Sequence, residues 1–226
     1  MTRPAFGAQL TAQLTATLIA LAAPMAASAL TLTQVNIEPG LVLIGNTDEP
    51  STGPTPLVLG QSLGLSLPIA ISGPYFMEPA AIFYGTWYEY TGTRAVPGAS
   101  ESGGSFFVLG TLLAMRAGAA FPVSKEVSLG GAVGLDLLVR IPIDFQAGAA
   151  DRADDRRASL AYFYDMARFL YPETSLFCAW RLAERFGLVF SVRALHPVFH
   201  LWDGEGLSYL DQLLLAGQVG FTYTFR

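Results

Sequence analysis

The carboxyl-terminal stretch "LLLAGQVGFTYTFR" alternates with a period of two. Leu213, Leu215, Gly217, Val219, Phe221, Tyr223 and Phe225 fall on one side. Leu214, Ala216, Gln218, Gly220, Thr222, Thr224 and Arg226 fall on the other. Successive side chains of a strand point to opposite faces, so this predicts one long β-strand with an aromatic and aliphatic face and a small or polar face. The same period recurs upstream. In "LVLGQSLGLSL", Leu57, Leu59, Leu63, Leu65 and Leu67 share a face broken only by Gln61, opposite Val58, Gly60, Ser62, Gly64 and Ser66. No charge falls between Ser51 and Met77, so a membrane helix competes for this segment. The repeated glycines, Pro68 and the strict alternation favour a strand.

Further strands follow the same logic. "SFFVLGTLLAMRAGA" sets Phe107, Leu109, Leu113 and Met115 against Gly110, Ala114, Arg116 and Gly118. "VSLGGAVGLDLLVR" sets Val127, Leu129, Val133, Leu135, Leu137 and Val139 against Ser128, Gly130, Ala132, Gly134, Asp136, Leu138 and Arg140. "ETSLFCAWRLA" and "GLVFSVRAL" place Arg181 and Arg193 on their smaller-residue faces. With a first strand over Glu38–Gly45, begun as early as Thr31, and an aromatic third strand over Ala80–Thr91, eight strands are predicted. Gly, Pro, Ser and charged clusters separate them. The longest irregular stretch runs from Ile141 to Glu173. Within it "ASLAYFYDMARFLYP" lacks Gly and Pro before Pro172, which predicts a short helix with Leu160, Phe163, Ala167 and Leu170 on one face.

What the apolar face meets is decided by charge. A soluble sandwich or barrel hides its apolar face and coats the outside with Lys and Glu, which also prevents edge pairing. A transmembrane barrel inverts this, with polar groups inside and an apolar band against lipid. Only 14% of the 226 residues are charged, against about a quarter in typical soluble domains. Arg116, Asp136, Arg140, Arg181 and Arg193, with Gln218, all lie on the small-residue faces and are expected to face the lumen. Tyr84, Trp87, Tyr88 and Tyr90 cluster toward one end of the third strand. Together with Trp180, Tyr223 and Phe225 they are assigned to the membrane interface, where an apolar ring with a polar tip is satisfied.

Export is written at the other end of the chain. "MTRPAFGAQLTAQLTATLIALAAPMAASA" places Arg3 before an apolar stretch from Leu14 to Ala23 and a small-residue site at Ala27, Ser28 and Ala29. This is the order of a secretory signal peptide, so residues 1–29 are expected to be cleaved and 30–226 to form a single barrel domain. The lone cysteine, Cys178, excludes an internal disulfide and is expected to be inert against lipid. No cysteine marks the cleavage point, so no lipoprotein anchor is expected. A net charge of −5 without a basic stripe excludes a nucleic-acid partner. With the amino end in the periplasm, the joins at Ser72, Pro122 and Arg185 lie on that side. The longer loops near Asn46, Ala95, Ala153 and Asp203 lie outside.

A mature chain of this length, with eight amphipathic strands and the ending "VGFTYTFR", resembles the small outer-membrane β-barrels of diderm bacteria, of the OmpW and OmpA-transmembrane-domain type. The resemblance implies an all-β, antiparallel, up-and-down barrel. It also implies that Val219, Phe221, Tyr223 and Phe225 are read by the barrel assembly machinery, although this chain ends in Arg226 rather than Phe. It further implies membrane lipid and the envelope surface as partners, and a candidate small hydrophobic solute as in OmpW-like proteins.

Chemistry is scarcer. His196, His200, Asp203, Glu205 and Ser208 crowd one loop, but Pro197 prevents a helical i, i+4 histidine pair and no enzyme motif surrounds Ser208. Solvated loop residues are expected there, and likewise in "DRADDRR", which lacks Ca²⁺-loop spacing. No catalytic set, metal centre or cofactor is expected. The inward charges form either a salt-bridge plug or the lining of a narrow conduit, with inward Val58, Val108, Leu112, Leu138, Val189 and Leu214. The first expectation is a narrow channel or conduit for small solutes, hydrophobic ones included, and the alternative is a non-transporting structural or adhesin-like barrel acting through its extracellular loops.

Overall fold

The computed structural model describes residues 31–46, 57–98, 105–143 and 153–225. Eight antiparallel strands close into a barrel: β1 Gln34–Gly45, β2 Leu57–Ser66, β3 Tyr75–Tyr90, β4 Ser105–Pro122, β5 Val127–Ile143, β6 Leu170–Arg181, β7 Phe186–Leu195 and β8 Leu214–Thr224. Two short strands, Ile69–Ser72 and Ala95–Gly98, pair with β3. One helix, α1 (Ala153–Tyr164), with a 3-10 turn over Asp165–Ala167, lies between β5 and β6. Among the described residues no helix is long and apolar enough to cross a membrane. The leader expected over residues 1–29 lies outside the described residues.

Closure gives each of the eight strands a neighbour on both sides, so the sheet has no edge strand. Register partners lead from Gly40 through Ser62, Tyr84 and Gly110 to Arg140 in one direction. In the other they lead through Gln218, Ser191 and Phe177 to Gly130. The circuit therefore closes ten residues out of step on β5, the stagger that tilts the strands and sets the barrel's width. Eight strands leave an interior that side chains can fill.

Parity sorts the sequence onto the two surfaces. Leu59, Leu63, Phe83, Leu113, Leu129, Val133, Leu135, Leu176, Phe190 and Phe221 point outward and are exposed. Among the described residues, Glu89, at one end of β3, is the only charged residue at an outward strand position. Such a belt has no stable arrangement in water, and lipid is the solvent that fits it. Cys178 faces the same way and is half-buried.

The strands differ in length, and this positions the loops. β2 and β7 have 10 residues each, enough to cross a bilayer when tilted, whereas β3, β4 and β5 have 16, 18 and 17. The barrel is therefore tall on one side, and α1 packs against that side at the loop end. Sequence periodicity placed this helix later, from Ala158 toward Pro172. Instead β5 runs on to Ile143, α1 starts at Ala153, and β6 begins at Leu170, so Leu170 is a strand residue. Pro172 is tolerated in β6 because its nitrogen, which has no hydrogen to donate, faces the chain just past the end of β7, where the ladder stops at Leu195 and Glu173. β3 likewise starts at Tyr75, ahead of the expected Ala80, because Phe76 and Glu78 continue its inward face.

Candidate functional site

The lumen divides into three levels. At the turn end, near Gly73, Lys125 and Arg185, a charged cluster crosses the barrel. Arg193 is paired with Glu38, and both are buried. Glu38 also accepts hydrogen bonds from Ser66 (2.7 Å) and Ser191 (3.3 Å). Arg116 donates through Nη1 to Glu78 (2.7 Å) and through Nε to Glu173 (2.8 Å). Gln218 donates to the Glu38 carbonyl at 3.0 Å. Asp136 is fully buried beside this cluster, its carboxyl against that of Glu173. Placing such groups on the lipid side would be prohibitive, and inside they tie strands together in two networks, one joining β1, β2, β7 and β8 through Glu38 and one joining β3, β4 and β6 through Arg116.

Above the charges the lumen is apolar and packed. Val42, Ile44, Val58, Ile82, Tyr84, Leu112, Leu138, Tyr171, Leu195, Phe199, Leu214 and Ala216 form one buried cluster. Arg140 crosses it, donating to the Tyr171 hydroxyl (3.0 Å) and lying 4.9 Å from the Phe163 ring centroid. A Cβ on Gly110 would overlap the Tyr84 ring, so the glycine is what admits that tyrosine.

At the loop end, α1 and the final loop close the barrel. Tyr162 and Phe163 of α1 pack with Tyr88, Ala95, Phe106 and Val108. An ionic latch holds the three loops together. Arg94 pairs with Asp211 (2.7 Å) and Glu205 (3.6 Å), and Arg168 pairs with Glu205 (2.7 Å). His200 bonds Asp203 through Nδ1 (2.9 Å) and the Asp211 carbonyl through Nε2 (2.9 Å). Burial pushes the Tyr162 hydroxyl above its ordinary range. It stays protonated, donating to Glu205 (3.2 Å) while accepting from Gln212 (2.9 Å).

Several expectations are corrected by this geometry. Tyr84 and Tyr88 are not interface aromatics; they share the inward face of β3 with Ile82 and Thr86 and are buried in the lumen. Tyr90 follows the same parity and packs under α1. Of that group only Trp87 points outward, stacked edge-on against Phe107 at 5.5 Å. The clustering of aromatic residues in sequence hid their alternation. Arg181 has inward parity but sits exposed at the turn-end rim, hydrogen-bonded to the Lys125 carbonyl rather than enclosed. His200 and Asp203, expected to be solvated, are buried by the latch. His196 stays near the surface, with Thr174 and Tyr209 as partners. Among the described residues no group of His, Cys, Asp and Glu is arranged to hold a metal. Trp180 is exposed and outward, Tyr223 stacks between Phe186 and Phe225 at 5.5 Å from each, and Val219, Phe221 and Phe225 are exposed near the turn end.

Glu38, Glu78 and Glu173 escaped the sequence reading, as did Arg94, Arg168 and Asp211. The first three lie on inward positions, and extending the predicted strands by a few residues at their turn ends would have found Glu78. The others act across loops, where no periodicity exists to read.

No protein-family model and no curated protein sequence matches this chain. The backbone is similar to the crystal structure of Neisserial surface protein A, at 7% identity and a TM-score of 0.54, covering 88% of this chain and 100% of that one. OprG of Pseudomonas aeruginosa aligns at 10% identity and a TM-score of 0.48, covering 86% and 97% of the two chains. Ail of Yersinia pestis aligns at 12% and 0.43, covering 86% and 100%. At these identities the likeness is one of fold. That fold is the closed eight-stranded outer-membrane barrel, and the outward apolar belt is its physical counterpart in this chain.

Proposed function

We propose that this outer-membrane barrel does not conduct, and that it works at the cell surface through the ordered cap built from α1 and the last loop. The observation that carries the reading is the packed outer half of the lumen, where Val42, Val58, Ile82, Leu112, Phe199 and Leu214 retain at most 1% exposure. A solute path needs displaceable water or mobile side chains, and close-packed interiors offer neither. The cap adds a second seal, because Arg94 and Arg168 bind carboxylates that another loop presents. A ligand-binding or structural barrel gains from such rigidity, whereas a conduit is obstructed by it.

Reconstitution into planar bilayers tests this directly. The expected record is flat for the native chain, and liposomes carrying it show no uptake of small hydrophilic or hydrophobic solutes above protein-free controls. Discrete conductance steps, or solute-selective uptake, would establish the conduit instead. Delivery to the membrane is proposed to depend on the end of the chain, where the exposed Val219 and Phe221 of β8 and the following Phe225 are presented in a row with Tyr223.

A further inference from the structure

The turn-end half of the lumen has no part in a surface role, yet it is hollow. It forms a cavity of about 290 Å³ between the mouth of the barrel and the Glu38, Glu78, Arg116 and Arg193 cluster. Phe76 and Phe177 line its wall, edge to face at 5.7 Å, with Val189 nearby. Because the packed core lies above, the cavity is blind and reached from the periplasm.

Its floor carries Glu38 and Glu78 together with Arg116 and Arg193. Glu38 is saturated by Arg193, Ser66 and Ser191. Arg116 and Arg193 are withdrawn, with side chains 2% and 4% exposed, whereas the Glu78 side chain is 13% exposed. Glu78 gives one oxygen to Arg116, and no other hydrogen bond to it is found among the described residues. Deeper in, the Asp136 carboxyl is fully buried against the Glu173 carboxyl. The accessible charge on the floor is therefore a carboxylate, whose field the low-dielectric walls focus toward the mouth.

We propose that this vestibule is a binding site for a small amphipathic organic cation, with its ammonium on the Glu78 carboxylate and its apolar body beside Phe76 and Phe177. A cavity of 290 Å³ lies at the lower end of the ligand-pocket range of about 300–1,000 Å³, which suits one aromatic ring and a short amine-bearing chain. Specificity follows from a buried ionic hydrogen bond that a neutral or anionic analogue cannot make.

The test titrates the refolded chain in nanodiscs with phenethylamine, phenethyl alcohol and phenylacetate, followed by calorimetry against empty nanodiscs. Saturable binding of the amine is expected, with the alcohol weaker by about tenfold or more and the acid not binding. Glu78→Gln, which keeps an acceptor for Arg116, lowers amine affinity by about tenfold or more. Ala120→Phe fills the cavity without touching the charges and abolishes binding, so the site stays testable if the first variant fails to fold. Equal or tighter binding of the acid, indifference of the amine to either substitution, or uptake matching empty nanodiscs would overturn the site. The outcome is independent of the bilayer recordings, since a blind pocket and a closed outer lumen fail by different readouts.

Discussion

Arg193 and Glu38 form an enclosed ion pair of the lumen, and removing one partner leaves the other buried without its counter-charge. Arg193→Ala is expected to destabilise the folded barrel by about 3–5 kcal/mol, seen as a lower urea midpoint in lipid vesicles. The double variant Arg193→Met with Glu38→Gln should recover most of that loss, because the penalty belongs to the stranded charge. Gly110 makes a second argument from a single side chain. Its missing Cβ is the space in which the Tyr84 ring lies. Gly110→Val should cost about 1–3 kcal/mol by overpacking, and much less where Tyr84→Leu has already emptied the site. If the cost is unchanged in that background, the clash with Tyr84 is not its source.

The outward face of β5 is a graded probe of lipid depth. Leu135 lies at the middle of the strand and is 48% exposed, while Phe121 lies near the turn end of the neighbouring β4. Leu135→Arg should destabilise by about 2–4 kcal/mol and Phe121→Arg by about 0–1 kcal/mol in refolding titrations. Equal effects at the two depths would mean that the belt does not sit in hydrocarbon as drawn. Helix α1 depends on the latch rather than on its own amphipathicity, since its exposed face carries Asp154, Asp155 and Arg157 and only Ser159, Tyr162 and Phe163 are buried. Arg94→Ala removes the shared cation from Asp211 and Glu205 and leaves Arg168 as the latch's remaining arginine on Glu205. Trypsin is then expected to cut after Arg156 or Arg157 several times faster, at local-opening rates, while the barrel itself keeps its folded gel mobility.

Across the entire barrel, one consequence of the packing is that lumen and lipid face should respond oppositely to the solvent. Detergent or lipid is required for the outward belt, so the purified chain should aggregate when detergent is removed and show heat-modifiable mobility when it is kept. Folding should be cooperative despite the hollow turn end, because the charged cluster links non-adjacent strands across the lumen. A chain that stayed monodisperse in plain buffer would be incompatible with the membrane reading.

Strand parity, the even strand count and the confinement of charge to one face were legible from the residues alone, because a strand's period of two is imposed by local backbone geometry. That is why the inward positions of Arg116, Asp136, Arg140, Arg193 and Gln218 could be named without coordinates, and why the closing strand "LLLAGQVGFTYTFR" could be split correctly into two faces. Tyr84 and Tyr88 went astray where composition was allowed to outweigh that same parity. Partnership was not legible. Arg116 meets Glu78, its register partner on β3, and Glu173, one strand beyond Gly134, because the pairing register lays β3, β4, β5 and β6 in one row there. Arg94 meets Asp211 only because three loops converge over the lumen. Pairings across 117 residues of chain carry no periodic signal, so closure of the barrel, and nothing nearer in sequence, chooses them.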